Sequence, residues 1–285
     1  RMRQATYALP LPPPLGIEEA RPGATAMAAI LLRIEQASGG AVKVCRTAAE
    51  IRACIEAGVL ATVLHFEGAE AIDTSLDALE VWHAAGLRSL GPVWSRPTEF
   101  GHGVPFRFPS GPDTGDGLTE AGFRLVRACN EKRILIDLSH LNEKGFWDVA
   151  RTSAAPLVAT HSNAHALCPH ARNLTDDQLA AIRESRGLVG VNFATSFIRP
   201  DGRMVAETDL EDLVRHFDHL VERLGVDGVG IGSDFDGATI PAGIRDAAGL
   251  PRLVEALRRR GWDEATLRRL CWENWVDVLE RTWGG

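Results

Sequence analysis

The sequence predicts an α/β fold in which a parallel sheet is covered by helices. Short runs rich in Val, Ile and Leu recur along the 285 residues, each followed by a polar or Gly-containing junction and then by an amphipathic stretch with helical spacing. The runs are apolar throughout and do not alternate, which is the pattern of strands buried on both faces. No Gly/Ser linker or shift in composition divides the chain, so residues 1–285 are expected to form one domain, a length that α/β barrels reach.

The expected strands are Ala61 to Phe66, Leu87 to Trp94, Ile134 to Leu138, Pro156 to Thr160, Gly187 to Phe193 and Gly228 to Gly232. Two of the intervening helices have recognisable starts. Thr175-Asp176-Asp177-Gln178 and Thr208-Asp209-Leu210-Glu211 both match the capping box, in which a hydroxyl and a longer acceptor satisfy first-turn N–H groups. The segment 96–117 has no periodicity, and irregular stretches of that length in compact domains usually serve a site. Trp262, Trp272, Trp275 and Trp283 fall among the last helical stretches, where outer-layer packing explains them.

Composition excludes several classes. With 45% hydrophobic and 24% charged residues the chain is neither disordered nor collagen-like. Its net charge of -7, without a Lys/Arg stripe, argues against nucleic acid as a partner. Five scattered cysteines without a C-x-x-C motif indicate neither a disulfide framework nor a cysteine zinc site, and so a reducing, cytoplasmic compartment is expected. No run reaches the ~18 consecutive apolar residues of a membrane span.

The residues that carry chemistry stand at the C-terminal ends of the expected strands. Ala61 to Phe66 runs into Glu67-Gly68, Ile134 to Leu138 into Ser139-His140, Pro156 to Thr160 into His161, and Gly228 to Gly232 into Ser233-Asp234-Phe235-Asp236-Gly237. In a parallel α/β barrel these strand ends converge on one face, where ligands and acid/base groups belong. Imidazole nitrogen and carboxylate oxygen suit a divalent metal such as zinc, which lowers the pKa of its water and polarises a carbonyl. Other groups are discounted. His216 and Asp218 spell His-x-Asp but lie in a helical stretch, where residues two apart point to different sides. His65 is read as a packing or supporting histidine. Asp236 is assigned a structural or supporting role, and Asp234, first after its strand, a chemical one. No P-loop, G-x-S-x-G or Ser/His/Asp pattern is present.

His65-Phe66-Glu67-Gly68, Asp137-Leu138-Ser139-His140, Thr160-His161-Ser162-Asn163-Ala164, Arg172-Asn173-Leu174 and Gly232-Ser233-Asp234-Phe235-Asp236-Gly237, in that order, resemble the motifs of the membrane dipeptidase (renal dipeptidase) family of zinc peptidases in the amidohydrolase superfamily. The resemblance implies a (β/α)8 TIM-like barrel with two zinc ions and a bridging hydroxide that hydrolyses dipeptides, including those with a C-terminal D-residue. It implies that Glu67 bridges the metals, that His140 and His161 bind the second metal, that Arg172 pairs with the substrate carboxylate, and that Asp234 handles the proton of the bridging water and of the leaving amine. A homodimer is implied on the same ground.

Two departures stand out. The family's first strand carries a His-x-Asp pair for the first metal, and neither that strand nor the second is found here. The expectation is a barrel whose first two strands are absent from this sequence, with residues preceding Arg1 in the natural protein. The family also has a substrate-contacting His on its fourth strand, where this chain reads Leu90-Gly91-Pro92-Val93-Trp94-Ser95, and His102 of the following loop is the candidate replacement. Competing readings are an amidohydrolase acting on lactones or N-acyl amino acids, and a metal-poor barrel that only binds a ligand or partner.

Overall fold

A computed structural model describes residues 7–9 and 11–284. In chain order the elements are β1 (Tyr7–Ala8), α1 (Ile17–Ala37), β2 (Val42–Val44), α2 (Ala48–Ala57), β3 (Leu60–Thr62), β4 (Leu64–Glu67), α3 (Asp77–Ala85), β5 (Leu87–Gly91), β6 (Arg107–Phe108), α4 (Glu120–Glu131), β7 (Leu135–Ile136) and α5 (Glu143–Thr152). They continue with β8 (Val158–Ser162), α6 (Asp176–Glu184), β9 (Leu188–Val191), α7 (Thr195–Ile198), α8 (Leu210–Leu224), β10 (Val229–Ile231), α9 (Leu250–Arg259), α10 (Glu264–Arg268) and α11 (Asn274–Trp283). The described residues form two compact units, one of residues 7–9, 11, 104–114 and 157–275, the other of 12–103, 115–156 and 276–284.

In the first unit β9 is the central strand of a parallel sheet, with β8 on one side and β10 on the other. All four of its residues, Leu-Val-Gly-Val, are buried, which is why the run reads as continuously apolar. Burying each of Leu188, Val189 and Val191 contributes about 1.5–3 kcal/mol, as an upper bound. Helix α8 turns Leu213, Val214, Phe217, Leu220 and Leu224 inward at helical spacing and packs on α6. The register of β8 against β9 shifts between Ala159 and Ser162. Two glycines admit that irregularity, since a Cβ on Gly190 would lie 2.0 Å from the Thr160 carbonyl oxygen and one on Gly232 would lie 2.2 Å from it. Short β1 and β6 pair antiparallel in the same unit.

The second unit contains a parallel sheet in the order β4-β5-β7 and a parallel pair β2-β3. Leu87 and Leu90 of β5, Ile134 and Leu135 at β7, Leu125 and Val126 of α4, and Phe146 and Val149 of α5 supply its core.

The structure corrects several expected boundaries. The expected strand Ala61 to Phe66 is two strands, and β3 pairs with β2, which has no counterpart among the expected strands. Strand β5 ends at Gly91 because Pro92, next in sequence, has no N–H to continue a ladder. The Thr175 capping box is present, with Gln178 returning to the Thr175 N–H. At α8 the cap is Asp209, which accepts from the Glu211 N–H, whereas the Thr208 hydroxyl donates to the Val205 carbonyl. Trp262 lies between α9 and α10, outside a helix. No described helix is long and apolar enough to cross a membrane.

Candidate metal centre

In the second unit β4 ends on Glu67, whose side chain is 44% exposed, and the turn after β7 presents His140 almost fully buried. His140 has φ of 68°, so the left-handed conformation that glycine usually takes falls here on the histidine. Its Nε2 lies 3.0 Å from Glu67 Oε1, its Nδ1 lies 2.8 Å from the buried Ser95 hydroxyl, and the Trp94 ring tilts against it. Asp137, also buried, accepts the Ser139 N–H and lies 3.8 Å from His65 Nε2, while His65 Nδ1 meets Ser89 Oγ at 2.8 Å. His65 thus lies between Ser89 and Asp137. His102, in the loop, has Nδ1 3.3 Å from the Gly117 carbonyl.

In the first unit β8 carries His161 near its end, with its Nδ1 2.8 Å from Thr160 Oγ1. The His161 carbonyl accepts from Arg172 Nη2 at 3.1 Å and from Asn192 Nδ2 at 3.4 Å. Arg172 is 3% exposed, and its guanidinium lies 5.5 Å from the centre of the Phe197 ring, a cation–π contact that fixes the plane of the fork. Asp234 follows β10 with φ of 59°, and its Oδ2 accepts from Asn192 Nδ2 at 3.0 Å. Asp236 also has positive φ, 66°.

His216 does not belong to this chemistry. It is fully buried, its Nδ1 accepts the Ala164 N–H at 3.2 Å, its Nε2 lies 3.1 Å from the Ile198 carbonyl, and burial pushes its pKa down to about 3. Asp218 pairs instead with Arg260 at 2.8 Å. The helical argument against a chelating pair therefore holds.

Glu67 and His140 of the second unit and His161 of the first are donors of the kind a cation takes, and within the second unit Glu67 Oε1 and His140 Nε2 stand 3.0 Å apart. The donor set fits a divalent cation such as zinc, being two imidazoles and a carboxylate. In both histidines a hydroxyl lies against Nδ1 and fixes the ring plane, so Nε2 is the nitrogen that each would offer to a cation.

Sequence reasoning does not single out Ser95 or Asn192. A signal exists for Asn192: it directly follows the apolar residues of β9, as Glu67 directly follows Phe66 in β4.

The sequence model for membrane dipeptidase (peptidase family M19) matches residues 18–283. A Klebsiella pneumoniae protein, "Uncharacterized protein in pqqA 5'region", is 51% identical over 255 residues, covering 90% of this chain and 94% of that protein. A crystal structure of a metallo peptidase from Rhodobacter sphaeroides, liganded with a phosphinate mimic of the dipeptide L-Ala-D-Ala, is 65% identical with a TM-score of 0.97, covering 97% of this chain and 79% of that one. The dipeptidase AC, also a metallo peptidase, is 64% identical with a TM-score of 0.97, covering 98% of this chain and 82% of its own.

Proposed function

From the premise that this chain belongs to the membrane dipeptidase family, peptidase family M19, and is a metallopeptidase, we propose that it hydrolyses small dipeptides, including those with a C-terminal D-residue, with two zinc ions. The single observation that carries this reading is the 65% identity to a metallo peptidase that holds a mimic of L-Ala-D-Ala. We read residues 1–285 as one hydrolase domain of (β/α)8 type acting in a reducing cytoplasm, where its five cysteines, all free in the structure, stay thiols.

In this reading Glu67, His140 and His161 hold metal. Zinc, when bound, supplies a Lewis acid for the scissile carbonyl and a water acidic enough to be used near neutral pH. The chain's own residues do the rest. Arg172 presents a planar pair of donors to the substrate carboxylate, and its bond to the His161 carbonyl and its contact with Phe197 hold that plane before substrate arrives. Asp234 accepts a proton from the attacking water and returns it to the leaving amine. His102 reaches the substrate from the loop.

Metal analysis together with a dipeptide hydrolysis assay tests the proposal. Cleavage of L-Ala-D-Ala that is abolished by a chelator and restored by zinc is expected; absence of both bound metal and zinc-dependent cleavage refutes it. Comparison with the C-terminally amidated dipeptide tests Arg172, because equal cleavage of the two forms would remove any need for a free carboxylate and would favour an amidohydrolase of broader range.

A further inference from the structure

We propose that Asn192 is a positioning residue for Asp234, fixing the plane and orientation of the carboxylate that moves the proton. The inference rests on the role given to Asp234 above. Asn192 is fully buried one residue beyond β9, and four hydrogen bonds pin it. Its Oδ1 accepts the Ala194 N–H at 2.6 Å, its Nδ2 donates to Asp234 Oδ2 at 3.0 Å and to the His161 carbonyl at 3.4 Å, and its own carbonyl accepts from Asn163 Nδ2 at 3.0 Å.

These partners settle which way the amide faces. The Ala194 N–H can only donate, so the side-chain oxygen must turn to it, and the NH2 group is thereby aimed at the carboxylate. Asp234 needs such a guide. It sits in the left-handed region on a turn where a Cβ on Gly237 would lie 2.4 Å from Asp234 Oδ1, so one face of the carboxylate lies against backbone and the other against Asn192. An N–H donated to Oδ2 stops rotation about the last side-chain torsion, and Gly237, having no Cβ, keeps the space beside Oδ1 open for a proton. The same amide reaches the His161 carbonyl, so one side chain sets the strand end that bears a proposed ligand and the group proposed to move the proton.

The test is a double-mutant cycle on the zinc-loaded full chain with L-Ala-D-Ala as substrate. Asn192→Asp keeps shape and the acceptor for Ala194, but sets two carboxylate oxygens against each other where a donor stood. It is expected to lower kcat roughly 100-fold with KM changed by less than about threefold and with metal content unaltered. In the Asp234→Asn background the same substitution is expected to change kcat by less than about threefold, because the group it acts through is gone. A folded Asn192→Asp enzyme with wild-type kcat overturns the inference, as does an equal loss in both backgrounds, which would indicate a general structural effect. Should Asn192→Asp fail to fold, Asn192→Ala is read by the same cycle, with a loss of about tenfold expected. Wild-type kcat in Asp234→Asn alone refutes the proposed role of Asp234 itself, whereas an impaired Asp234→Asn beside an unimpaired Asn192→Asp refutes only the positioning.

Discussion

Ser95→Ala removes one buried hydroxyl oxygen and should weaken metal binding. Ser95 is fully buried and its Oγ lies 2.8 Å from His140 Nδ1. When Nε2 gives its lone pair to a cation, Nδ1 carries the ring proton and donates it to Ser95 Oγ. Without that partner Nδ1 is left buried and unsatisfied, as donor or as acceptor, at about 1–3 kcal/mol. On a chain of this size that lowers the melting temperature of the metal-free protein by about 2–6 °C. The ring also loses the contact that sets its plane and raises its basicity, and loss of such a partner typically weakens metal affinity by about 10- to 100-fold, or roughly 1.4–2.7 kcal/mol. Zinc affinity measured by competition with a chromogenic chelator separates the two effects. Thr160→Val is the parallel case, since Thr160 Oγ1 meets His161 Nδ1 at 2.8 Å, and should shift the affinity in the same direction. A Ser95→Ala protein with a lower melting temperature but wild-type zinc affinity would refute the reasoning, because the hydroxyl would then serve only the packing of the loop.

The same geometry sets other outcomes. His161→Ala should lower zinc occupancy, and Asp234→Asn should lower turnover at near-normal occupancy; the opposite pattern in elemental analysis would mean the roles are exchanged. His140→Gly should melt higher than His140→Ala by the equivalent of about 1 kcal/mol in the metal-free protein, since glycine tolerates the φ of 68°; equal melting temperatures would show that the turn carries no strain. Burial pushes the His216 and His170 imidazoles down to about 3, so the unfolded chain takes up protons below about pH 6.5 that the folded chain refuses. Stability from each is therefore complete above that pH and lost as pH falls toward 3, at about 2 kcal/mol per histidine between pH 7 and pH 5. Urea unfolding of His216→Gln at the two pH values should show a pH dependence smaller by that amount, and an unchanged dependence would contradict the burial of a neutral ring.

How much of the molecule is legible in the sequence depends on what burial leaves visible. Strands β8, β9 and β10 are legible because both faces are covered and their residues form apolar runs. Strand β2 is not: Lys43 is exposed between Val42 and Val44, and three residues give no period to detect. The two-residue strands β1 and β6 have no signature at all. For the proposed site, strand-end placement is what singles out Glu67, His140, His161 and Asp234, since a polar residue that ends an apolar run stands out. Ser95 lies beyond Pro92 in irregular chain, where a serine is unremarkable, and its importance comes only from a partner 45 positions away. Asn192 is hidden inside an expected strand that runs to Phe193, two residues past the observed end at Val191.

Backbone strain falls on two of the residues that the proposed function uses. Among the described residues, those with positive φ other than glycine are Leu76, Arg133, His140, Arg186, Asp234, Asp236 and Arg245. Arg133 and Arg186 directly follow the caps of α4 and α6, where reversal of the chain demands this conformation whatever the side chain. At β4 the left-handed turn is delegated to Gly68, with φ of 115°, so Glu67 itself is relaxed. After β7 and β10 it is not delegated: His140 and Asp234 occupy the strained position themselves, at a cost of order 1–3 kcal/mol each. A chain optimised for stability alone would place glycine there, as it does after Glu67. Glycine has neither the imidazole nor the carboxylate that the proposed roles of His140 and Asp234 require, and in that proposal the unfavourable backbone at those two turns is the physical condition for aiming both groups from the ends of short strands.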